Sequence, residues 1–401
     1  MAIRKILDDF IYVGGSDKRE PTFENFLTTP EGMAYNSYLV LDEKTVLFDS
    51  VDRSVSKIFF NNLKKALNGR KLDYLVITHM EPDHSDSIED LLLRYPEITI
   101  VLNTQSLKML NKFTGKDMKD RAMLVSSKTE FSSGKHTYKF INAPFVHWPE
   151  VMFVYDNYSK VLFSADAFGS FRANAGNIFD DEIVLDEAYY LEQRRYYGNI
   201  IGKFGVQVLQ VINAIKDLDI DIVCPLHGVI WRSHFEDILR RYKLWAAFQP
   251  ESTDIVIIYN TIYNHTSDLC FELASMLAER GVKNIKMYDV SKTNVSYLVS
   301  EVLRAENIVL AATTYNAGLY PGMKNFLHDI AALNIKNRNV ALIENGTWGP
   351  ISGKYITEIL SKMKNMNIIN TPITIESQYK AEKNETAFYD LVDKLVALYN
   401  K

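Results

Sequence analysis

The stretch His79-Met80-Glu81-Pro82-Asp83-His84 follows a short apolar run, Leu72 to Thr78, and precedes an amphipathic run, Ser85 to Leu93. The first run has the length and the β-branched residues of a buried strand, and the second has the period of a helix. The stretch is therefore expected in a loop at the C-terminal end of a strand, where α/β proteins commonly build their sites. Four of its six side chains can bind a metal, so the sequence predicts a metal site on this loop.

Three further ligand-type residues stand where other strand-like segments end: His147, Asp166 and His227. Strands of one sheet can deliver their ends to a common edge, so these side chains are expected beside the first loop. Buried carboxylates without a cation would cost several kcal/mol in desolvation and repulsion. Seven ligands are too many for one tetrahedral ion and indicate two metals bridged by a carboxylate. The predicted ligands are His79, Glu81, Asp83, His84, His147, Asp166 and His227.

The residue types restrict which metal this site would take. The chain has only two cysteines, Cys224 and Cys270, so a disulfide framework or a Cys-rich metal site is excluded. Mixed imidazole and carboxylate ligation suits iron, with manganese and zinc as alternatives. An imidazole at position 81 would favour a hydrolytic dizinc site, whereas Glu81 supplies an anionic oxygen that stabilises ferric iron. The sequence therefore favours redox chemistry over hydrolysis.

Length and composition indicate an ordinary globular protein with more than one domain. The 401 residues exceed what one hydrophobic core usually holds, and 47% are hydrophobic and 24% charged. The net charge of -5 gives no support for nucleic-acid binding, and no Lys/Arg cluster suits an anionic membrane. The N-terminal sequence lacks the pattern of a secretory signal, and no apolar run is long enough to span a bilayer. We therefore expect a cytoplasmic protein.

The sequence pattern changes near Gln249–Thr253. From Asp254 onward a short β-branched strand alternates with an amphipathic helix five times, which predicts a doubly wound parallel sheet of order 2-1-3-4-5. The expected domains are residues 1–250, which carry the metal site, and residues 251–401.

Three loops of the second domain point to a flavin. They follow its first, third and fourth strands, which places them at one crevice of such a sheet. The first loop opens onto a helix, whose free N–H groups favour a phosphate, and a planar ring could lie between Tyr315 and Trp348. FMN is the predicted ligand, and the absence of a G-x-G-x-x-G motif argues against direct NAD binding. The predicted contacts are Thr261, Ile262, Tyr263, Asn264, His265, Thr266, Thr314, Tyr315, Asn316, Ala317, Gly318, Asn345, Gly346, Thr347 and Trp348.

These motifs resemble the flavodiiron protein family, also called A-type flavoproteins, over essentially the whole chain. HMEPDH is similar to the family's H-x-E-x-D-H signature, and HWP, the strand end at Asp166 and HGVIWR stand at the positions of its remaining ligands. Thr261, Tyr263 and Thr266 resemble its T-x-[YW]-x-x-T flavin loop, although Asn264 stands where Gly is common. The other two flavin loops depart from it, with Ala312-Thr313-Thr314 for Ser-Pro-Thr and Asn345-Gly346-Thr347 for Ser-Tyr-Gly.

The resemblance implies a metallo-β-lactamase-like αββα sandwich followed by a flavodoxin-like domain. It implies one iron held by His79, Glu81 and His147, another held by Asp83, His84 and His227, and Asp166 as the bridge. The implied reaction reduces dioxygen to water, nitric oxide to nitrous oxide, or both. The implied assembly is a head-to-tail homodimer, or a dimer of dimers, with FMN of one chain facing the diiron site of the other. A separate donor such as rubredoxin is expected, because the chain shows no Cys-x-x-Cys pair of a fused rubredoxin.

Two alternatives compete with this interpretation. One is a dizinc hydrolase of thioesters or lactams with a flavodoxin-like appendage; Glu81 and the flavin loops argue against it. The other is an electron-transfer module with a vestigial metal domain; seven ligand-type residues argue against that. Phe168, Tyr196 and Tyr197 are candidates for positions beside the ligands, with core packing as their alternative. The preference between the two gases stays open.

Overall fold

The computed structural model describes residues 3–19, 22–376 and 382–401. The chain divides into two compact units between Lys243 and Leu244, within helix Phe235–Ala246. The sequence places the boundary slightly later, at 250/251. Among the described residues, no helix is both long and apolar enough to cross a membrane.

The first unit begins with a seven-stranded sheet. Its order is β1-β2-β7-β8-β9-β10-β11, and β8 to β11 run parallel, so β8, β9 and β10 end at one edge. The predicted hairpin is present as the antiparallel pair β7 and β8. The strands of this sheet are β1 (Arg4–Lys5), β2 (Phe10–Tyr12), β7 (Tyr38–Leu41), β8 (Thr45–Phe48), β9 (Tyr74–Val76), β10 (Thr99–Leu102) and β11 (Ala122–Leu124). Two small antiparallel sheets stand apart from it: β3 (Gly15–Asp17) pairs with β6 (Met33–Tyr35), and β4 (Thr22–Phe23) pairs with β5 (Leu27–Thr28).

A five-stranded sheet packs against the first one. Its strands are β12 (Glu130–Ser132), β13 (Thr137–Asn142), β14 (Met152–Asp156), β15 (Val161–Phe163) and β16 (Ile222–Cys224), in that order. β14 is antiparallel to both neighbours and β16 is parallel to β15, so β13, β15 and β16 end at the same edge. The core lies between the two sheets, where the rings of Phe48 and Phe163 stack with centroids 3.7 Å apart.

Helices cover the outer faces and complete the predicted αββα sandwich. α1 packs on β7 of the first sheet and α6 on β13 of the second. The sequence predicts one long helical region from Leu185 to Lys216, but a π-helical turn (Tyr197–Ile201) and a 3-10 turn (Gly202–Phe204) divide it into α5 and α6. The helices are α1 (Ser56–Leu67), α2 (Pro82–Ser85), α3 (Ile88–Arg94), α4 (Thr104–Thr114), α5 (Glu187–Tyr196), α6 (Gly205–Ile215) and α7 (Phe235–Ala246).

The second unit contains the predicted flavodoxin-like sheet. Its strands are β17 (Ser252–Tyr259), β18 (Lys286–Asp289), β19 (Ala305–Tyr315), β20 (Gly318–Leu319), β21 (Arg338–Asn345), β22 (Met366–Ile368) and β23 (Ile373–Ile375). The order β18-β17-β19-β21-β22 is parallel throughout, which confirms the predicted 2-1-3-4-5 arrangement. Its helices are α8 (His265–Glu279), α9 (Val295–Arg304), α10 (Pro321–Ala332), α11 (Ser352–Leu360) and α12 (Glu382–Tyr399).

The fifth strand of this sheet is split into β22 and β23, both paired with β21. Between them the side chain of Asn370 replaces the backbone, because its Oδ1 accepts from Leu342 N and its Nδ2 donates to Leu342 O, each at 2.9 Å. Pro372 follows and has no N–H to donate. The expected continuous strand from Ile368 to Ile375 is therefore wrong in this detail.

Candidate functional site

The loop after β9 carries the first four ligand-type side chains. His79 follows the strand, and Glu81 is the N-cap residue of the one-turn helix α2. Pro82 occupies the first helical position, where its fixed φ and missing N–H are tolerated. The expectation that a helix begins only at Ser85 is therefore wrong, since Asp83 and His84 lie within this helical turn.

The remaining three ligand-type residues come from the second sheet. His147 follows β13, Asp166 follows β15 and His227 follows β16, and these strands end at one edge. The structure brings all seven predicted side chains together, and each is at most 8% exposed to solvent.

His79, Glu81 and His147, here called the first ligand group, lie on one side of Asp166. The Nε2 atom of His147 is 3.0 Å from both Glu81 Oε2 and Asp166 Oδ2. His79 Nε2 is 3.3 Å from Glu81 Oε2 and 3.6 Å from Asp166 Oδ2. Four donor atoms thus surround one point from different directions.

Asp83, His84 and His227, here called the second ligand group, lie on the other side. Asp83 Oδ2 is 3.2 Å from the Nε2 atoms of both His84 and His227. The Oδ1 atom of Asp166 is 3.3 Å from His84 Nε2 and 3.7 Å from His227 Nε2. Asp166 therefore directs one carboxylate oxygen to each ligand group, which is the arrangement of a bridging ligand.

The electrostatics of the cluster indicate that it lacks positive charge. Burial, with the charges of Glu81 and Asp166, raises the pKa of Asp83 to about 8. Burial opposes a charge on His147, but the carboxylates of Asp166 and Glu81 raise its pKa to about 9. His147 thus holds a proton where a metal ligand would face a cation.

Unpartnered buried atoms support the same conclusion. The Nε2 atoms of His84 and His227 are only 3.0 Å apart, and neither oxygen of Asp83 has a hydrogen-bond partner among the described residues. A cation between these atoms would satisfy them all. The residues therefore fit two metal ions with imidazole and carboxylate ligands.

Two buried carboxylates that the sequence analysis missed hold the loop of His79 in place. Glu150 Oε1 lies 2.8 Å from His79 Nδ1 and accepts from Met80 N at 2.9 Å. Asp49 accepts from the N–H and the hydroxyl of Thr78, at 2.7 and 2.6 Å. Asp49 directly follows β8, which runs parallel to β9 in the same sheet. Because parallel strands end at the same edge, Asp49 could have been predicted to lie beside the loop of His79.

The candidate residues Phe168, Tyr196 and Tyr197 lie on the side of the second ligand group or behind it. The Tyr196 ring is 5.5 Å from the His227 ring, and the buried Tyr196 hydroxyl has no hydrogen-bond partner among the described residues. Tyr197 and Phe168 instead pack on Tyr242, with ring centroids 4.9 and 4.6 Å away. Of the three, Tyr196 is placed beside the ligands.

A cavity of about 430 Å³ opens onto the metal ligands. Glu81 and Asp83 form part of its wall, and Glu24 stands in the tight turn between β4 and β5. Burial and the neighbouring charge of Glu81 raise the pKa of Glu24 to about 7. The lining residues are Thr22, Phe23, Glu24, Asn25, Tyr35, Asp52, Glu81, Pro82 and Asp83.

The second unit has a crevice of about 210 Å³ at the strand ends of its sheet. Its lining residues are Thr261, Ile262, Tyr263, His265, Thr266, Thr313, Thr314, Asn316, Ala317, Asn345, Gly346, Thr347 and Trp348. Of the predicted flavin contacts, Asn264, Tyr315 and Gly318 do not line it, whereas Thr313 was missed. Three predicted loops thus meet at one crevice.

The second of these loops is a β-hairpin rather than a free loop. β19 runs on to Tyr315 and pairs with β20, and Asn316 and Ala317 form the turn with φ of 48° and 53°. Positive φ at both positions is typical of the tight turns that match strand twist. The Tyr315 ring lies 6.0 Å from the Tyr320 ring, away from the crevice lining.

Polar atoms in the first flavin loop fit a phosphate. Thr261 Oγ1 is buried without a hydrogen-bond partner among the described residues, and α8, which begins at His265, directs the positive end of its dipole to the same loop. Asn345 Nδ2 donates to Thr266 Oγ1 at 3.2 Å, which ties the third loop to this helix. An anionic group at this helix end would satisfy the Thr261 hydroxyl.

The chain is similar in sequence to a family model and to known proteins. The model of a family described as ODP family beta lactamase matches residues 33–228. An uncharacterized protein of Methanocaldococcus jannaschii is 34% identical over 328 residues, which cover 82% of this chain and 81% of that protein. The anaerobic nitric oxide reductase flavorubredoxin of Escherichia coli is 29% identical over 325 residues, which cover 80% of this chain and 67% of the relative.

Solved structures are similar over the full chain. The rubredoxin oxygen:oxidoreductase of Desulfovibrio gigas superposes with a TM-score of 0.92 and 27% identity, covering 99% of this chain and 98% of that one. The flavodiiron protein of Giardia intestinalis gives a TM-score of 0.92 at 23% identity, covering 100% of this chain and 98% of that one, and supports the fold.

Proposed function

Because this chain belongs to the flavodiiron protein family, we propose that it reduces dioxygen to water, nitric oxide to nitrous oxide, or both. The observation that carries the proposal is Asp166, which directs one oxygen to each of two buried ligand groups. When bound, two iron ions and FMN would supply the electrons for this reduction.

In this proposal the chain holds two iron ions through seven side chains. His79, Glu81 and His147 would hold one, Asp83, His84 and His227 would hold the other, and Asp166 would contribute one oxygen to each. Each group contributes carboxylate oxygen, which stabilises the ferric state. All seven side chains are at most 8% exposed, so little of the site faces solvent outside the cavity at Glu81 and Asp83.

The cavity beside Glu81 and Asp83 supplies the access route. It is lined by four carboxylates, those of Glu24, Asp52, Glu81 and Asp83, and by no Lys or Arg among the described residues. Negative charge at the entrance disfavours anions and does not hinder small neutral gases.

Tyr196 supplies a hydrogen-bond donor beside the ligands. Burial and the charges of Asp166, Asp83 and Glu81 raise the pKa of its hydroxyl well above the ordinary value, so the hydroxyl stays protonated at neutral pH. We propose that it donates to an oxygen atom that develops negative charge during the reaction.

The second unit is proposed to bind FMN in its crevice, with Thr261 and the N-terminus of α8 on the phosphate and Trp348 beside the ring. The side chain of Trp348 is 77% exposed, so a second protein could contact it beside the flavin. A rubredoxin-type donor would reduce the flavin, and a head-to-tail homodimer would bring FMN of one chain to the diiron site of its partner. Constant activity per chain on dilution into a monomeric range would contradict the shared site.

The test is stopped-flow oxidation of the fully reduced protein by dioxygen and by nitric oxide in parallel, with metal and flavin measured on the same sample. We expect about two iron ions and one FMN per chain, and oxidation by at least one gas. Asp166→Asn is the matched variant, because it should lose the iron-dependent reaction and keep the flavin. Two zinc ions with no iron and no flavin would support the dizinc hydrolase instead, and an iron- and FMN-loaded sample that neither gas oxidises would refute the proposal.

A further inference from the structure

Glu150 connects the loops of two metal ligands. It follows His147 by three residues, it is 1% exposed, and its Oε1 contacts both His79 Nδ1 and Met80 N. Asn103 Nδ2 donates to the main-chain oxygen of Glu150 at 2.6 Å, which fixes the residue from a third loop. The side chain therefore holds the loop of His79 against the loop of His147.

The contact with Glu150 determines how His79 can bind a metal. A carboxylate accepts hydrogen bonds, so the Nδ1 atom beside it must carry the proton and Nε2 must carry the lone pair. Nε2 is the atom that faces Glu81 and Asp166. A carboxylate behind an imidazole also makes the imidazole a stronger electron donor to the metal.

The second ligand group lacks such support. His227 Nδ1 contacts the main-chain oxygen of Ala34 at 2.8 Å, and an uncharged carbonyl is a weaker acceptor than a carboxylate. His84 Nδ1 has no hydrogen-bond partner within the part of the chain that the structure describes. Among the described residues of the two groups, His79 is thus the imidazole whose Nδ1 atom contacts a buried carboxylate directly, whereas Nδ1 of His227 contacts a carbonyl and Nδ1 of His84 contacts no hydrogen-bond partner.

We infer that Glu150 is a positioning residue for His79, and that its charge makes the first ligand group the tighter of the two metal sites, filled first and emptied last. The second oxygen of Glu150 is buried without a hydrogen-bond partner among the described residues, so His79 is the main group that balances its charge. This inference rests on the proposed two-metal centre and goes beyond it by assigning an order to the two sites.

The test is a competition titration of metal-free protein with Co²⁺ against a chelator of known affinity, followed by the visible spectrum of bound Co²⁺. We expect two binding steps of different affinity in the unaltered protein. Glu150→Gln keeps the shape and removes the charge, and should weaken the tighter step roughly 10- to 100-fold, change its spectrum and leave the weaker step unchanged. In a His227→Ala background, which disables the second group, the single remaining step should weaken by the same factor.

The matched control is Asp180→Asn. Asp180 Oδ2 accepts from His234 N at 2.6 Å and lies 3.1 Å from His234 Nδ1, so it is a buried carboxylate beside the Nδ1 atom of a histidine that is not a ligand candidate. This control should leave both Co²⁺ steps unchanged. Thermal melting of each metal-free variant reports whether it folds.

A second variant, Glu150→Asp, keeps the charge on a shorter side chain and should bind the first Co²⁺ more tightly than Glu150→Gln. The inference would be overturned if Glu150→Gln bound the first Co²⁺ more tightly than Glu150→Asp. It would also be overturned if both Co²⁺ affinities of Glu150→Gln lay within twofold of those of the unaltered protein. Either result would leave the two-metal centre intact. Failure of the unaltered protein to bind two Co²⁺ ions would instead overturn the metal centre, and the inference with it.

Discussion

Asp83→Asn should stabilise the metal-free protein while weakening its metal binding. Asp83 is 8% exposed, and its oxygens have no hydrogen-bond partner among the described residues. Its carboxylate is therefore costly to ionise in the folded, metal-free protein, whereas a bound cation would remove that cost. The same charge that binds the metal destabilises the fold without it.

The size of the effect follows from the pKa of Asp83, which burial raises from 3.8 to about 8. Between these values the folded protein keeps a proton that the unfolded chain releases, so stability falls as pH rises through this window. One pKa unit corresponds to about 1.4 kcal/mol, which would give on the order of 5 kcal/mol for the full shift. Relaxation of the site reduces this free-energy difference. We expect the free energy of unfolding of the variant to exceed that of the unaltered protein by about 2–3 kcal/mol at pH 8 and to differ little near pH 4.

The assay is urea denaturation of chelator-treated protein at pH 5 and pH 8. Glu81→Gln is the contrasting control, because burial opposes its charge but hydrogen bonds with His147 and His79 lower its pKa. Loss of Glu81 should therefore destabilise the metal-free protein, and the two variants should shift in opposite directions. An Asp83→Asn protein that is no more stable than the unaltered protein at pH 8 would refute the reasoning.

Three other changes test separate parts of the molecule. Glu81→His should lower the ratio of iron to zinc retained by purified protein, as measured by metal analysis, and an unchanged ratio would show that the residue does not select the metal. Thr261→Val should weaken FMN binding roughly 10-fold or more in a fluorescence titration, because it removes a hydroxyl available to the phosphate; unchanged affinity would place the phosphate elsewhere. Asp156→Asn should lower the free energy of unfolding by about 3 kcal/mol at pH 6, because it breaks the buried 2.6 Å pair with His136. Burial opposes the charge on His136, but Asp156 and Asp9 raise its pKa. The destabilisation by Asp156→Asn should therefore shrink as the pH rises through the pKa of His136. A destabilisation that does not change with pH would contradict the ion pair.

The sequence was sufficient to predict the sheet order and the meeting of seven ligand-type side chains. The meeting of the side chains follows from one rule, because strands that run in the same direction within a sheet end at the same edge. The rule applies to residues directly after a strand, such as His79 and Asp166. It fails for Glu150, which lies at the end of the loop between β13 and β14, just before a strand begins, and has no periodic pattern to place it.

Other errors came from signals that compete within a few residues. Pro82 marks the start of α2, but the preceding ligands suggested a loop. Asn316-Ala317 form a tight hairpin turn although neither is glycine, so the extension of β19 to Tyr315 was not predicted. The side chain of Asn370 makes the two hydrogen bonds to Leu342 that a strand backbone would otherwise make. This arrangement depends on the neighbouring strand and cannot be predicted from the local sequence.

The ligands of the metal centre come from two consecutive halves of the first unit. The first sheet and His79 to His84 precede residue 125, whereas the second sheet and the other three ligands, His147, Asp166 and His227, follow it. The two halves could therefore be produced as separate polypeptides, divided in the turn at Ser126–Thr129 between β11 and β12. Reassembly of such a split protein would close the apolar core between the two sheets and bring the two sets of ligand-type side chains together in one step.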